Sequence, residues 1–187
     1  MFRINIKPVG ELTDAEVIRE FKTLLPSAAR RAEYQAVQRT VRNVRTRITK
    51  EVGRDIALKA STIKQSLNAR MPTRAQSTPT GEIVVSPRAV ALKEYKAHQR
   101  RKGVSVKVMR KAGRKIIKGA FIVPGLGGHV FQRVGDKRLP IKKLFGPSVR
   151  MNVEKRRPET LAFIKERLRY NLQERMRWEI TKARRRR

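Results

Sequence analysis

Apolar and polar positions alternate with a period of two at the start of the chain. Phe2, Ile4 and Ile6 interleave with Arg3, Asn5 and Lys7, which predicts a short strand with one buried face. Thr13 then takes the place of a helix N-cap, with Glu16 three residues on at capping-box spacing. Val17, Phe21 and Leu24 form one apolar face before Pro26 interrupts it. From Ser27 to about Arg54 the pattern changes to steps of three and four: Tyr34, Val37, Val41, Val44, Ile48 and Val52. That spacing predicts one long helix over about 27–54, with Arg30, Arg31, Arg39, Arg42, Arg45, Arg47 and Lys50 mostly off the stripe and Gly53 as a terminator. A shorter helix is expected over 61–69, capped by Ser61 and carrying Ile63 and Leu67 four apart.

The middle of the chain, 70–149, holds most of the glycines and prolines, with short β-branched runs between them. GEIVVS (81–86), VSVKVM (104–109), AFIV (120–123) and HVFQRV (129–134) read as strands, and GLGG (125–128) and GD (135–136) as turns. In VSVKVM, Val104, Val106 and Val108 share one face and Ser105, Lys107 and Met109 the other, the signature of a half-buried antiparallel strand. A last helix is expected over about 158–183, with Pro158 in its first turn and Leu161, Ile164, Leu168, Leu172, Met176 and Ile180 recurring along it. Residues 184–187 follow as a basic tail. Together these elements predict an α+β fold over 1–183: a small, mainly antiparallel β-sheet flanked by long N-terminal and C-terminal helices in a single domain.

Charge changes this picture more than composition does. Lys and Arg number 47 against 15 acids, a formal net charge of +32, where a small soluble domain usually carries about 2–8. Self-repulsion on that scale favours a polyanion or an acidic neighbour. The 39% of hydrophobic residues still argues for a folded core. The chain has no cysteine, which excludes disulfides, thiolate nucleophiles and Cys-based zinc sites and fits a bacterial or viral cytosolic origin. The opening MFRINIKPVGELTDAEV has no apolar core ahead of a cleavage site, so no secretory signal is expected. No run of 18 apolar residues predicts a membrane span.

The inventory for catalysis is thin. The two histidines, His98 and His129, lie in a strongly basic region, and Glu94 is the sole acid between Ile83 and Gly135. A surface or turn-packing role suits both histidines better than metal ligation. GLGGHV has Val130 where the third glycine of a dinucleotide loop belongs, and no Lys-Ser/Thr follows, so a hairpin or loose turn is the better reading. The helical acids Glu16, Glu20, Glu33, Glu51, Glu166 and Glu174 can pair with cations four residues away. No enzyme, no metal site and no cofactor is expected.

The densest positive patch is 96–119, which contains no acid. Its cations are Lys96, Arg100, Arg101, Lys102, Lys107, Arg110, Lys111, Arg114, Lys115 and Lys118. Such a cluster attracts phosphates by counterion release without reading sequence, so nucleic acid or an acidic protein face is the expected contact and a solvated loop the bland alternative. The run Arg184, Arg185, Arg186, Arg187 can serve as a nucleic-acid arm, as an electrostatic clip to another subunit, or as a disordered end. With ten aromatics, several of them on apolar helix faces, a base-stacking platform is not expected.

The middle segment carries a specific likeness. A basic run ends in Gly103-Val104; Gly119-Ala120-Phe121 and His129-Val130-Phe131-Gln132-Arg133 follow; Arg138-Leu139-Pro140-Ile141 leads to Gly146-Pro147-Ser148-Val149. This series resembles the tailed-phage minor tail protein Z family, the tail completion proteins, over about 45 residues strongly and most of the chain more weakly. The resemblance implies a structural virion protein without catalytic residues, located at the head–tail junction or top of the tail. It implies a homo-oligomeric ring, a hexamer, that completes the tail for head joining and contacts the leading end of the double-stranded genome. Implied partners are the tail terminator, tail tube and head-completion proteins, with no membrane and with the host cytoplasm as the place of assembly. The competing expectation is a ribosomal or nucleoid-type basic nucleic-acid-binding protein; a nuclease would need clustered carboxylates that the sparse acids do not supply.

Overall fold

Alternation and helical periodicity translate into four helices and eleven short strands among residues 2–7, 21 and 26–185, which the computed structural model describes. The class is α+β, with small antiparallel sheets between long helices toward both ends of the chain. The capping box at Thr13 and Glu16, with Val17 and Leu24, lies outside the described residues. Contacts divide the chain into two compact units, each gathered from separated segments. Met1–Ile48, Leu67–Val84 and Arg156–Arg187 form the first; Thr49–Ser66 and Val85–Lys155 form the second. Among the described residues no helix is long and apolar enough to cross a membrane.

In the first unit, strand β1 (Phe2–Ile6) buries Phe2, Ile4 and Ile6 and exposes Arg3 and Asn5, as its alternation demands. It joins a three-stranded sheet in the order β1-β3-β2, where β2 is Leu67–Arg70 and β3 is Gly81–Val85. Glu82 on the central strand is flanked by both neighbours, with Arg3 Nε at 3.4 Å and Arg70 Nη1 at 3.3 Å. Helix α1 (Pro26–Asp55) turns Val37, Val41, Val44 and Ile48 inward, all buried. A Cβ on Gly81 would stand 2.3 Å from Val41 Cγ2 and 3.2 Å from Val37 Cγ1. Glycine therefore lets the strand backbone lie directly on the helix stripe.

The closing helix, α4 (Arg157–Arg184), runs antiparallel to α1. Cross-helix partners descend on one helix as they rise on the other: Arg31 with Glu179, Arg39 with Glu174, Thr40 with Asn171, Arg47 with Phe163. The buried seam of α4 passes through Thr160, Ile164, Leu168, Asn171, Leu172, Met176 and Glu179. Leu161, expected inside, is 42% exposed, because it lies one residue and about 100° round the helix from buried Thr160. Ile180 is half-buried at the seam's margin. The polar members of the seam have partners. Asn171 Nδ2 donates to Thr40 Oγ1 at 2.9 Å, Thr40 Oγ1 donates to the Ala36 carbonyl at 2.7 Å, and Arg31 Nη2 donates to Glu179 Oε2 at 2.9 Å. The acids Glu174 and Glu179 thus pair across the helices rather than within one.

The second unit begins in the last turns of α1, which run past Gly53 to Asp55 rather than ending there. Helix α2 (Ala60–Gln65) is shorter than the expected 61–69 and is preceded by Lys59, with no side-chain cap from Ser61. Leu67 instead belongs to β2. Strands β5 (His98–Arg100), β6 (Gly103–Val106) and β7 (Lys115–Lys118) form one antiparallel sheet, and β8 (Ala120–Val123), β9 (His129–Arg133) and β10 (Ile141–Lys143) another. β6 is buried on both faces, Ser105 included, so the half-buried expectation for 104–109 gives way. The chain leaves the ladder after Val106, and Met109 instead bridges to Ile56. GLGG makes the β8–β9 hairpin through a 3-10 turn at Pro124–Leu126, with Gly127 and Gly128 both at positive φ.

Beyond β10, a cis Leu139–Pro140 bond having preceded it, β11 (Phe145–Gly146) pairs with β4 (Val90–Ala91). Gly146 is therefore a strand residue. A Cβ there would stand 2.6 Å from Tyr95 Cε2. The ring of Tyr95 is fully buried, and its hydroxyl donates to the Pro147 carbonyl. Gly146-Pro147 is the seat of that tyrosine, and helix α3 (Val149–Lys155) follows at once.

Candidate polyanion-binding surface

The acid-free stretch 96–119 becomes the β5–β6–β7 sheet with its connections. Register places Arg100 opposite Gly103 and Gly103 opposite Lys118. Directly opposed residues share a face, so Arg100 and Lys118 flank a position that has no side chain. Gly103 is required there: its φ is +138°, and a Cβ would meet the Ile117 carbonyl oxygen at 2.1 Å. Arg101 and Lys102 form the exposed turn between β5 and β6, and exposed His98 shares the face of Arg100.

The connection 107–114 brings further cations, with different freedoms. Lys107 is half-buried, and its backbone N–H donates to the Tyr95 carbonyl at 3.0 Å. Arg110 is tied to the end of α1, its backbone N–H to the Asp55 carbonyl at 2.8 Å and its Nε to the Ile56 carbonyl at 3.3 Å. Lys111 is exposed. Arg114 is committed to the fold. Its Nε donates to Ser105 Oγ at 2.8 Å, and its Nη2 donates to the carbonyls of Ser105 and Lys96. The two bonds to Ser105 give its hydroxyl and carbonyl oxygens a partner, which lets Ser105 be buried. Lys115, opposite Val106, borders an apolar cavity of about 410 Å³ that Leu92, Ile117 and Phe145 also line.

Lys96, in the left-handed region at φ 52°, and Arg110 share a second cavity of about 570 Å³. Lys59, Lys93 and Glu94 complete its polar wall over buried Ala57 and Leu58. Glu94 Oε2 accepts from Thr62 Oγ1 at 3.3 Å, so four cations surround one carboxylate already held by a hydroxyl. Lys59 and Lys93 were not among the expected site residues. Lys59 carries no local signal, since only the return of the chain beside the end of α1 brings it to this cavity. Among the described residues none of Lys96, Arg100, Arg101, Lys102, Lys107, Lys111, Lys115 and Lys118 is paired with a carboxylate.

Arg184 and Arg185 belong to the first unit. Arg184 is the last residue of α4, and Arg185 caps it, its N–H reaching the Thr181 carbonyl at 3.2 Å. Arg186 and Arg187 lie outside the described residues. His129 sits on β9 with Nε2 3.0 Å from Lys143 Nζ. Burial, and then the charges of Lys143 and Lys93, hold it below the ordinary imidazole range against the pull of Glu94. Its Nε2 therefore accepts from the lysine. Among the described residues no three His, Asp or Glu gather as a metal site.

This arrangement can hold phosphates or carboxylates through sheet cations that have no carboxylate partner among the described residues, beside a cavity lined by further cations. No curated protein and no solved structure matches the chain. The family profile of prophage minor tail protein Z, however, matches residues 13–186, which takes in both units and every described strand of the basic sheet. The chain belongs to the prophage minor tail protein Z family, and it is a structural protein of a phage tail, carried in the virion among the other tail components.

Proposed function

We propose that this chain forms a ring at the head–tail junction or top of the tail, completes the tail for head joining, and contacts the genome end through the β5–β7 sheet and the adjoining cavity. The observation that carries this reading is the set of cations on that sheet without carboxylate partners among the described residues, in a chain whose net charge is +32. A tail protein with such a surface meets double-stranded DNA as the polyanion on its axis. Repeating the protomer around a closed ring, a hexamer in the family's pattern, would line a collar with positive potential that grips DNA without reading it. Tail terminator, tail tube and head-completion proteins would bound the ring on either side. Assembly would take place in the host cytoplasm. The structural family suggests a non-enzyme.

Charge reversal tests this. Changing Lys96, Arg100, Lys102, Lys111 and Lys118 to glutamate spares Arg110 and Arg114, which hold the fold. Every phosphate that the variant no longer neutralises should reduce the slope of log K against log salt by about 0.9 for duplex DNA. Particles carrying the variant should then show unjoined tails in electron micrographs. Unchanged assembly, tail joining and salt-sensitive DNA binding would sink the proposal. Co-sedimentation of the chain with ribosomes in place of virions would do the same.

A further inference from the structure

We propose that the exposed flank of α4, in the first unit, is a binding site for an unpaired nucleic-acid strand, held by the rings of Tyr170 and Trp178 and the cations beside them. Composition alone predicts no base-stacking platform, yet three of the ten aromatics come together on this helix. At about 100° per residue, Phe163, Arg167, Tyr170, Glu174, Trp178 and Lys182 fall within one sector of about 120°. Tyr170 and Trp178 are 53% and 46% exposed. Each ring has a cation beside it. Arg167 Cζ lies 5.3 Å from the centre of Tyr170, and Lys182 Nζ and Arg175 Cζ lie 4.7 and 6.0 Å from that of Trp178. Arg167 also stands 5.9 Å from half-buried Phe163, whose ring Arg47 covers at 4.1 Å.

The charge on this flank is left uncompensated. Glu174, the carboxylate of the sector, is held by Arg39 Nη1 at 2.7 Å, and Glu179 is buried against Arg31. Among the described residues Arg167, Arg175 and Lys182 have no carboxylate partner. A second copy of this chain would bring the same positive charge and be repelled. A chain of carboxylates would meet the cations and leave the ring faces to water. A nucleic-acid strand supplies both a phosphate for each cation and a flat base for each ring. In a duplex the base faces are covered by their neighbours, so the strand that fits is unpaired. The two rings are eight residues apart, about 12 Å along the axis, so the strand runs along α4 to reach both. Binding of this kind is blind to sequence, because every base has a face to stack. The site lies outside the basic sheet and stands whether or not that sheet meets duplex DNA.

The test uses the full chain and the fluorescence of Trp178, its single tryptophan. The probes are a short oligothymidylate, an abasic strand with as many phosphates, the duplex of the oligothymidylate with its complement, and poly-glutamate. The oligothymidylate should quench Trp178 saturably, and the other three should not. Tyr170→Leu, at an exposed position, should weaken the oligothymidylate by about fivefold or more and leave duplex affinity as it was. Lys182→Gln should reduce the slope of log K against log salt for the oligothymidylate by about 0.7. The glutamate variant of the basic sheet should keep the quenching at saturation, whatever becomes of its duplex binding, so the two sites fail separately. Equal quenching by the abasic strand or by poly-glutamate would overturn the proposal, because the rings would then take no base. Equal quenching by the duplex, an unchanged affinity in Tyr170→Leu, or loss of quenching in the sheet variant would overturn it too.

Discussion

Replacing Thr40 by valine should destabilise the helix pair out of proportion to the single atom changed. Thr40 and Asn171 are 0% and 1% exposed, and the Thr40 hydroxyl accepts the Asn171 amide at 2.9 Å. Valine fills the same volume but accepts nothing, so an amide N–H of Asn171 is left buried without a partner. An orphaned buried donor costs about 1–3 kcal/mol, and about 2 kcal/mol is the central expectation here. With a urea m-value of about 1–3 kcal/mol/M, the midpoint should fall by about 1 M. Trp178, the single tryptophan, lies on α4 and reports that transition by fluorescence. The decisive variant is the double change Thr40→Val with Asn171→Leu. It removes both polar partners, so it should be more stable than the sum of the single changes implies, with a coupling of about 1–2 kcal/mol. A Thr40→Val midpoint within about 0.2 M of the parent, or simple additivity in the double variant, would refute the argument from an unmet donor.

Two further changes probe the second unit. Gly103→Ala forces a Cβ toward the Ile117 carbonyl at a φ that alanine rarely adopts; it should cost about 1–3 kcal/mol and speed amide exchange at Val104 and Ile117, and native exchange in the variant would refute the close approach. Tyr95 is pushed up to about 12 by burial, from an ordinary tyrosine value of about 10. Its contribution is therefore complete below pH of about 10 and lost as pH rises through about 12. The urea midpoint of the parent should accordingly fall toward that of Tyr95→Phe across this window, and a pH-independent difference between the two proteins would count against it.

Periodicity made the long helices legible because each has one continuous neighbour to face. Val37 to Val52 on α1 are inward as their spacing demands. The same logic misplaces Leu161 on α4 and overlooks Thr160, Asn171 and Glu179, since polarity alone assigns polar residues to water. Their burial depends on Thr40 and Arg31, which a scan along one helix cannot see. The hairpin at GLGG was readable from local backbone chemistry, whereas the end of α2 at Gln65 was not, because Ile63 and Leu67 fit a helix as well as a helix followed by a strand. The acid-free run 96–119 marked out a stretch that folds as one sheet with its connections, whereas the close backbone approach at Gly103 depends on pairing with β7. Lys59 and Lys93 enter through tertiary folding, and Arg114, although exposed, is committed to the fold because Ser105 and Lys96 claim its hydrogens.

The placing of cations on β5 and β7 has another effect. These two strands form the margins of their three-stranded sheet, so each has one side with no further strand of that sheet beside it. Such margins template strand-to-strand aggregation unless charge keeps identical chains apart. Arg100 on one margin and Lys115 and Lys118 on the other make two copies approaching edge to edge repel. The surface that would hold a polyanion in the finished particle thus keeps newly made subunits from zipping together beforehand. Neutralising it should yield a chain that precipitates as well as one that binds poorly.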